Sequence, residues 1–503
     1  MIDAFLEGLL LVLQWKAFAF MLLGIGVGFW VGLLPGLGGV TTLALLLPFI
    51  YAMTPVEGFA FLLGMHSVVA TTGDITSVLF GIPGEGTTAA TILDGHAMAK
   101  KGEAGRALGA ALASSLVGAI VGAGALALAV PVVRPLVLAF GSPELFMIAI
   151  VGIAFIASLS AQGGRGMLRG FLAGGLGLLI ATVGQDPQAG VPRYTFDLLY
   201  LWGGLELVPV LIGIFAIPEI IDLVVRGGSI AGEMPKGQLN RGALEGVKDT
   251  IRHFWLTIRC SLIGTFIGIM PGLGGAVAQW LAYGHAAQSA RSAEERELFG
   301  KGDVRGVLGP GAANNSKEGG ALIPTVAFGV PGSSSMAILL GGFFLLGLVP
   351  GPDMLTQHLA VTFSMVWTIV IANIITVVVC FLFLNQLARV TLVSGHYLVP
   401  VILVLVFIGS YTANNHYGDI LLMLFFGGVG YLMVAGGWPR APFILGLVLG
   451  KIVENYLYIS VARYEAAWLT RPIVLVLMTL AIAAVLYPLV QARRFRARSE
   501  HRA

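Results

Sequence analysis

Two stretches of this 503-residue chain read almost alike. One is Gly28-Phe-Trp-Val-Gly32-Leu-Leu-Pro35-Gly36-Leu37-Gly38-Gly39; the other, 236 residues later, is Gly264-Thr-Phe-Ile-Gly268-Ile-Met-Pro271-Gly272-Leu273-Gly274-Gly275. A second pair follows at an offset of 248: Phe80-Gly81-Ile82-Pro83-Gly84 and Phe328-Gly329-Val330-Pro331-Gly332. A single internal duplication with one short insertion accounts for both offsets. Each Pro-Gly interrupts an apolar run, because proline removes an amide donor and clashes with the preceding helical turn. The surroundings make such breaks costly. Hydrophobic residues are 57% of the chain and charged ones 11%, against about 25% charged in a soluble domain. That balance excludes a cytosolic enzyme, a disordered chain and a nucleic-acid binder. At about 20 apolar residues per span, it supplies about a dozen spans. Glycine, at 70 positions, lets membrane helices approach closely or break. The net charge of +3 implies no anionic partner, and Cys260 and Cys380 match no metal or redox spacing. The acidic start Met1-Ile-Asp-Ala-Phe-Leu-Glu, with no cleavage site after it, reads as the approach to a retained span.

Basic residues set the expected topology, since Lys and Arg near span ends favour the cytoplasm. They cluster at Lys100–Arg106, at Arg165 and Arg169, from Arg226 to Arg252 with Lys236, Arg241 and Lys248, at Arg291–Arg305, and in the tail from Arg493. Placing all five inside predicts spans near 108–130, 143–160, 170–184, 198–225, 359–385, 397–411, 419–435, 442–460 and 473–490. The connections 185–197 and 461–472 then lie outside. Segments 17–95 and 254–348 are broken repeatedly by Pro and Gly. The copies are oppositely oriented on this reading. Pro83-Gly84 leads to the basic Lys100–Arg106 cluster, whereas Pro331-Gly332 leads to Leu348–Asp353, which has no Lys or Arg. The expected fold is an all-α polytopic membrane protein. About 12 hydrophobic segments form two inverted repeats with Pro/Gly-broken re-entrant hairpins. Repeat 1 spans 1–240 and repeat 2 spans 254–490; 241–253 is a cytoplasmic connection and 491–503 a basic cytoplasmic tail. Paired broken segments in inverted repeats point to the binding site of a secondary transporter.

A broken span frees backbone groups that lipid cannot satisfy, so it belongs beside a watery cavity. A half-helix start offers N–H groups and a positive dipole end to an anion. After Gly84 come Glu85, Gly86, Thr87 and Thr88; after Gly332 come Ser333, Ser334 and Ser335. These hydroxyls can cap a helix or bind a carboxylate. Candidate substrate-binding residues are Gly84, Thr87, Thr88, Asn314, Asn315, Gly332, Ser333, Ser334 and Ser335. No basic residue falls inside either hairpin tip, so neutral donors are expected to hold the anion reversibly. The Pro-Gly-Leu-Gly-Gly loops have only backbone to offer, which suits either cation coordination or a tight hairpin tip. Candidate cation-binding residues are Gly36, Gly38, Gly39, Glu85, Gly272, Gly274 and Gly275. Glu85 beside an anion site must point away, be protonated, or bind the coupling cation.

Asp74, Lys317 and Glu318 are ionisable groups in apolar context and functional candidates for that reason; Lys317 and Glu318 can alternatively pair with each other at the interface. His66 reads as a packed or interfacial histidine, Glu144 and Glu206 as lying near span ends, and Gly118 with Gly122 as a helix-packing pair. Enzymatic signals are poor. Gly446 to Gly450-Lys451-Ile452 is one residue short of a phosphate loop and lacks its Ser or Thr. Thr71-Thr72-Gly73-Asp74 half-matches the Gly-x-Gly-Asp of intramembrane aspartyl proteases, with Asp94 as the second carboxylate. An intramembrane hydrolase using Asp74 and Asp94 is therefore the alternative reading.

Pro35–Gly39, Asp94-Gly95-His96, Asn314-Asn315, Gly329–Gly332 and Gly351-Pro352, in this order, resemble the TctA family, the large membrane subunit of tripartite tricarboxylate transporters. The resemblance implies a non-enzymatic, multi-pass secondary carrier of the bacterial inner membrane with its C-terminus cytoplasmic. It implies two partners, a small four-span membrane subunit and a periplasmic solute-binding protein. It implies import of small carboxylates, citrate-like tricarboxylates or dicarboxylates, by symport with Na⁺ or H⁺, without a cofactor. It also implies an elevator-type transport domain holding both Pro-Gly hairpins. The sequence departs from the family pattern at Gly311, where an acidic residue is expected; Glu318 is the carboxylate placed to compensate.

Overall fold

A computed structural model describes residues 1–503 except 34–37, 160–163, 187, 227–238, 272–273, 391–397, 413 and 486–503. Gly36, Gly272, Lys236 and the tail 491–503 lie outside the described residues. The first half of the chain forms α1 (Ile2–Leu13), α2 (Trp15–Leu33), α3 (Gly39–Leu46), α4 (Pro55–Phe80), α5 (Thr91–Lys100), α6 (Ala104–Leu138), α7 (Ser142–Leu159), α8 (Gly164–Ala181) and α9 (Leu207–Arg226). The second forms α10 (Leu239–Arg252), α11 (Phe254–Ile269), α12 (Gly274–Gln288), α13 (Ala293–Arg296), α14 (Arg305–Phe328), α15 (Ser334–Leu345), α16 (Leu359–Val390), α17 (Leu398–Thr412), α18 (Tyr417–Ala435), α19 (Arg440–Tyr464) and α20 (Pro472–Val485). The strands among the described residues are a two-residue antiparallel ribbon, Gly184–Gln185 with Pro192–Arg193.

Among the described residues, six helices are long and apolar enough to cross a membrane: α2, α6, α9, α16, α18 and α19. The protein is thus an all-α, multi-pass membrane protein. Two of the expected boundaries shift. Residues 198–206 form a loop with one 3-10 turn before α9, and the connection at 241–253 is mostly the amphipathic helix α10. Burial of Gly105 and Gly109 against α10 backbone explains why that connection is ordered onto α6.

Both α4, with 26 residues, and α14, with 24, are long enough to span, at about 1.5 Å per residue, but their middles are too polar to look like spans. Both are enclosed by other helices instead. α4 starts at a capping box: Glu57 N–H donates to Thr54 Oγ1 and Thr54 N–H to Glu57 Oε2, with Pro55 in the first turn. Each of α4 and α14 stops at a left-handed glycine, Gly81 and Gly329, both at φ +68°, the residue that ends helices at least cost. The following Ile82-Pro83 and Val330-Pro331 prevent resumption.

Close backbone approach sets the packing at equivalent places. A Cβ on Gly28 would stand 2.6 Å from Met65 O, and one on Gly264 2.6 Å from Ala313 O. Gly32 likewise lies on Val69 and Gly268 on Lys317 and Ala321. Larger pairings exchange in the same manner. α6 packs along α14 while α16 packs along α4; α1 lies on α16 while α10 lies on α6; α18 packs on α9 while α8 packs on α19. α4 and α14 cross antiparallel: Asn314 meets Ala70, and four residues on, Glu318 meets His66, four residues back.

Candidate functional site

The α4–α14 crossing is the polar centre of an apolar molecule. His66, Thr71 and Asp74 from α4, and Asn314, Asn315, Lys317 and Glu318 from α14, are each at most 4% exposed. Neutral groups tie four helices together there. Asn314 Nδ2 donates to Ala70 O at 2.9 Å, and Asn315 Nδ2 donates to Thr71 Oγ1 at 2.7 Å and to Asn373 Oδ1 of α16 at 2.6 Å. Thr71 Oγ1 in turn lies 3.3 Å from Ser115 Oγ of α6.

The charged groups sit beside this network. Lys317 Nζ donates to Glu318 Oε1, and His66 Nε2 stands 3.1 Å from the same oxygen without hydrogen-bond alignment. The two glycine tips close on this cluster from different directions. A Cβ on Gly39 would lie 3.0 Å from His66 Nδ1 and 3.3 Å from Glu85 Oε1. A Cβ on Gly275 would lie 2.7 Å from Lys317 Cδ and 2.5 Å from Thr87 Cγ2. Only glycine admits these side chains so near the tips. Glu85 is within electrostatic reach of Lys317 and accepts from Thr87 Oγ1 at 3.3 Å.

Several buried polar atoms of the crossing have no hydrogen-bond partner among the described residues: both ring nitrogens of His66, both oxygens of Asp74, Asn314 Oδ1, Asn315 Oδ1 and Glu318 Oε2. An unsatisfied buried polar atom costs about 1–3 kcal/mol. A fold that gathers this many in one place has retained them for a polar ligand, ion or water.

The sequence candidates divide. Glu85 meets Gly38 and Gly39, and Thr87 meets Gly275, so these candidates join at the tips. Thr88 is engaged locally: it accepts from Ser77 Oγ at 2.8 Å and donates to Glu85 O at 2.9 Å. Gly84 packs on Gly73, and Gly332 on Ala321 and Gly268; both glycines are buried, and so is Pro331, whereas Pro83 is exposed. Ser333 caps α15 by accepting from Met336 N–H at 3.3 Å. Among the described residues no hydrogen bond takes Ser333, Ser334 or Ser335 to His66, Lys317 or Glu318; their helix packs against α3, as the Gly86–Thr88 turn packs against α12. Asn314 and Asn315 serve the interhelical network. Gly274 begins α12. The expectation of neutral donors at the tips left out Lys317, whose stem α14 places beside Gly275. His66 is packed, as read, but its packing partner is a carboxylate. Lys317 is the one lysine of α14 and its signal was its apolar context; His66 has no local signal, because Glu318 is 252 residues away.

Asp94 does not pair with Asp74. It accepts from Gly302 N–H at 2.7 Å, Asp303 N–H at 2.9 Å and Tyr283 O–H at 2.9 Å, holding α5 to α12 and the loop before α14. Asp74 faces Thr91 and Asn314. With Asp94 held by these three donors and Asp74 turned to Thr91 and Asn314, the two carboxylates do not form a hydrolytic dyad.

The model of the tripartite tricarboxylate transporter TctA family matches residues 18–445. The chain belongs to this family. A relative described as an uncharacterized 52.8 kDa protein in the TAR-I ttuC′ 3′ region of Agrobacterium vitis is 31% identical over 485 residues, covering 94% of this chain and 93% of its own. A second, an uncharacterized protein in the TAR-II ttuC′ 3′ region of the same organism, is 30% identical over 234 residues, 46% of this chain and 96% of its own. No solved structure matches. The TctA-family region of the chain takes in both glycine tips and the whole α4–α14 crossing.

Proposed function

We propose that this chain is the large membrane subunit of a binding-protein-dependent secondary carrier that imports small carboxylates, citrate-like tricarboxylates or dicarboxylates, by cation symport. The observation that carries the reading is the buried cluster of His66, Glu85, Lys317 and Glu318 between two glycine tips, in a chain of a transporter family. Its charges and unsatisfied polar atoms suit a carboxylate and a cation together, each lowering the other's electrostatic penalty. The antiparallel crossing of α4 and α14 and the exchanged pairings support two inverted repeats, 1–240 and 254–490, with α1–α6 and α10–α16 as the moving unit of an elevator. A small four-span subunit and a periplasmic binding protein would deliver the substrate at the bacterial inner membrane. The coupling ion is Na⁺ or H⁺, with Glu85 at Gly38–Gly39 as a cation ligand.

Two experiments test this. Proteoliposomes holding both membrane subunits, supplied with the binding protein, should accumulate labelled citrate, malate or succinate under an inward Na⁺ or H⁺ gradient; uptake of none of them overturns the reading. Single-cysteine labelling tests topology. The loops at 100–106, 226–252 and 291–305 should be protected from a periplasmic reagent, and strong labelling at position 241 would overturn the orientation.

A further inference from the structure

Glu318 Oε1 is shared. Lys317 Nζ binds it on one side and His66 Nε2 faces it at 3.1 Å on the other, while Glu318 Oε2 and His66 Nδ1 have no hydrogen-bond partner among the described residues. We propose that Lys317 is the docking point for a substrate carboxylate, that Glu318 is the internal carboxylate it displaces, and that His66 takes up one proton per displacement.

This inference rests on the carrier reading and names the residues and ion it leaves open. Adjacent residues on a helix do not normally face each other, yet Glu318 bends to its neighbour Lys317. It thereby fills the position that a substrate carboxylate would take. The Lys317 stem lies beside Gly275, as does Thr87.

The charge balance follows. With Glu85 neutralised by the cation that the carrier reading gives it, Lys317 ammonium and Glu318 carboxylate cancel in the substrate-free site beside a neutral imidazole. A substrate carboxylate arriving at Lys317 releases Glu318, whose negative charge would then be buried alone at a cost of several kcal/mol. A proton on His66 cancels it, giving Lys317 ammonium with substrate carboxylate and His66 imidazolium with Glu318 carboxylate. A proton arriving without substrate would leave an excess positive charge in the same enclosed space. Neither occupant is stable alone, which is the condition for obligate symport. No bond other than the N–H on His66 forms, and the proton is returned when the carboxylate leaves.

The groups facing His66 support this assignment. α14 supplies Lys317 and Glu318; Glu85 is the second carboxylate, across Gly39. α3 and α15 contain no titratable side chain, α2 has Lys16 at its far end, and α6 has Arg106 and Arg134 near its two ends. Asp74, two turns along α4, is turned to Thr91 and Asn314.

The test uses the full carrier in Na⁺-free proteoliposomes, with whichever of citrate, malate or succinate the wild type accumulates. The wild type should accumulate it about tenfold per unit of imposed pH gradient at that site. Glu318→Gln and His66→Gln should keep exchange of labelled for unlabelled carboxylate but lose gradient-driven accumulation. Lys317→Gln should raise KM roughly 100-fold, with partial recovery in Lys317→Arg. Should Lys317→Gln fail to reach the membrane, Lys317→Arg and the two Gln variants decide. Accumulation that needs Na⁺ and ignores the pH gradient, gradient coupling retained in both Glu318→Gln and His66→Gln, or an unchanged KM in Lys317→Gln overturns the inference and leaves the carrier reading standing. A wild type that accumulates none of the three removes the carrier reading itself.

Discussion

The α2–α4 pair and the α11–α14 pair have the same backbone and different chemistry. Gly28 on Met65 answers to Gly264 on Ala313, Gly32 on Val69 to Gly268 on Lys317, and Gly84 on Gly73 to Gly332 on Ala321. The side chains at the crossing do not correspond. Counting by the 248-residue offset, the counterpart of His66 is Asn314 and that of Glu318 is Ala70. The contact between His66 and Glu318 therefore has a twin, and that twin is Asn314 donating to Ala70 O. One of two equivalent contacts brings a carboxylate to an imidazole and the other is a neutral amide on a carbonyl. Duplication explains the scaffold, which needs small residues where backbones touch. The divergence, at one side of the crossing, is where the proposed carrier chemistry is placed.

The largest effects should come from breaking what the two pairs share. A Cβ on Gly32 stands 2.9 Å from Val69 O, and one on Gly268 stands 3.0 Å from Ala321 N. Neither neighbour is the end of a flexible side chain. Gly32→Val and Gly268→Val should each cost about 3 kcal/mol or more, read as a collapse of folded yield or a large fall in Tm in detergent. A variant of either glycine that keeps the wild-type Tm would break the equivalence.

Smaller and unequal effects should come from the twin contacts. Glu318→Ala leaves Lys317 buried without its partner and should cost about 3–5 kcal/mol. Asn314→Ala removes one neutral interhelical hydrogen bond, which in membrane proteins is worth about 0.6 kcal/mol and at most about 1.7. Thermal unfolding of the two variants side by side reads the difference. Equal losses would mean that the Glu318 contact is no more than a second copy of the neutral one.

Legibility followed the same division. The helical membrane bundle and the stops ahead of the Pro-Gly pairs were readable because Gly and Pro act locally: a left-handed stop at Gly81 or Gly329 is written in the residue itself. The enclosure of α4 and α14 was harder, since polar middles in long helices suit a loop as well as a core until their neighbours are known. The ordering of 241–253 as part of α10 depends on Gly105 and Gly109 of α6. The Ser333–Ser335 run looked like Thr87-Thr88, yet Ser333 is a helix cap, and the choice between cap and ligand is made by tertiary position. The meeting of His66 with Glu318 was not readable at all: it is fixed by the crossing register of two helices.

The smallest effect belongs to a glycine that the repeat does not need. Gly26 lies on α2 between Gly24 and Gly28, but a Cβ there meets nothing within 4 Å. By the 236-residue offset its counterpart is Leu262, which is 54% exposed on α11. Gly24 behaves differently. It packs on Phe61, while its counterpart Cys260 is buried and the counterpart of Phe61, by the 248-residue offset, is Gly309, which has no side chain. Space removed on one helix of a pair is thus returned on the other. Gly26→Leu should therefore be accepted, with stability within about 1 kcal/mol of wild type and on the favourable side, since glycine inside a helix costs about 0.5–1 kcal/mol relative to alanine. Gly28→Leu, two residues on, should not fold, because Met65 O stands 2.6 Å from its Cβ. Melting curves of the two variants in one detergent separate a glycine required by packing from one that is merely present. A destabilised Gly26→Leu would show that this face of α2 is covered by a partner, and would turn the comparison with Leu262 into a map of where that partner sits.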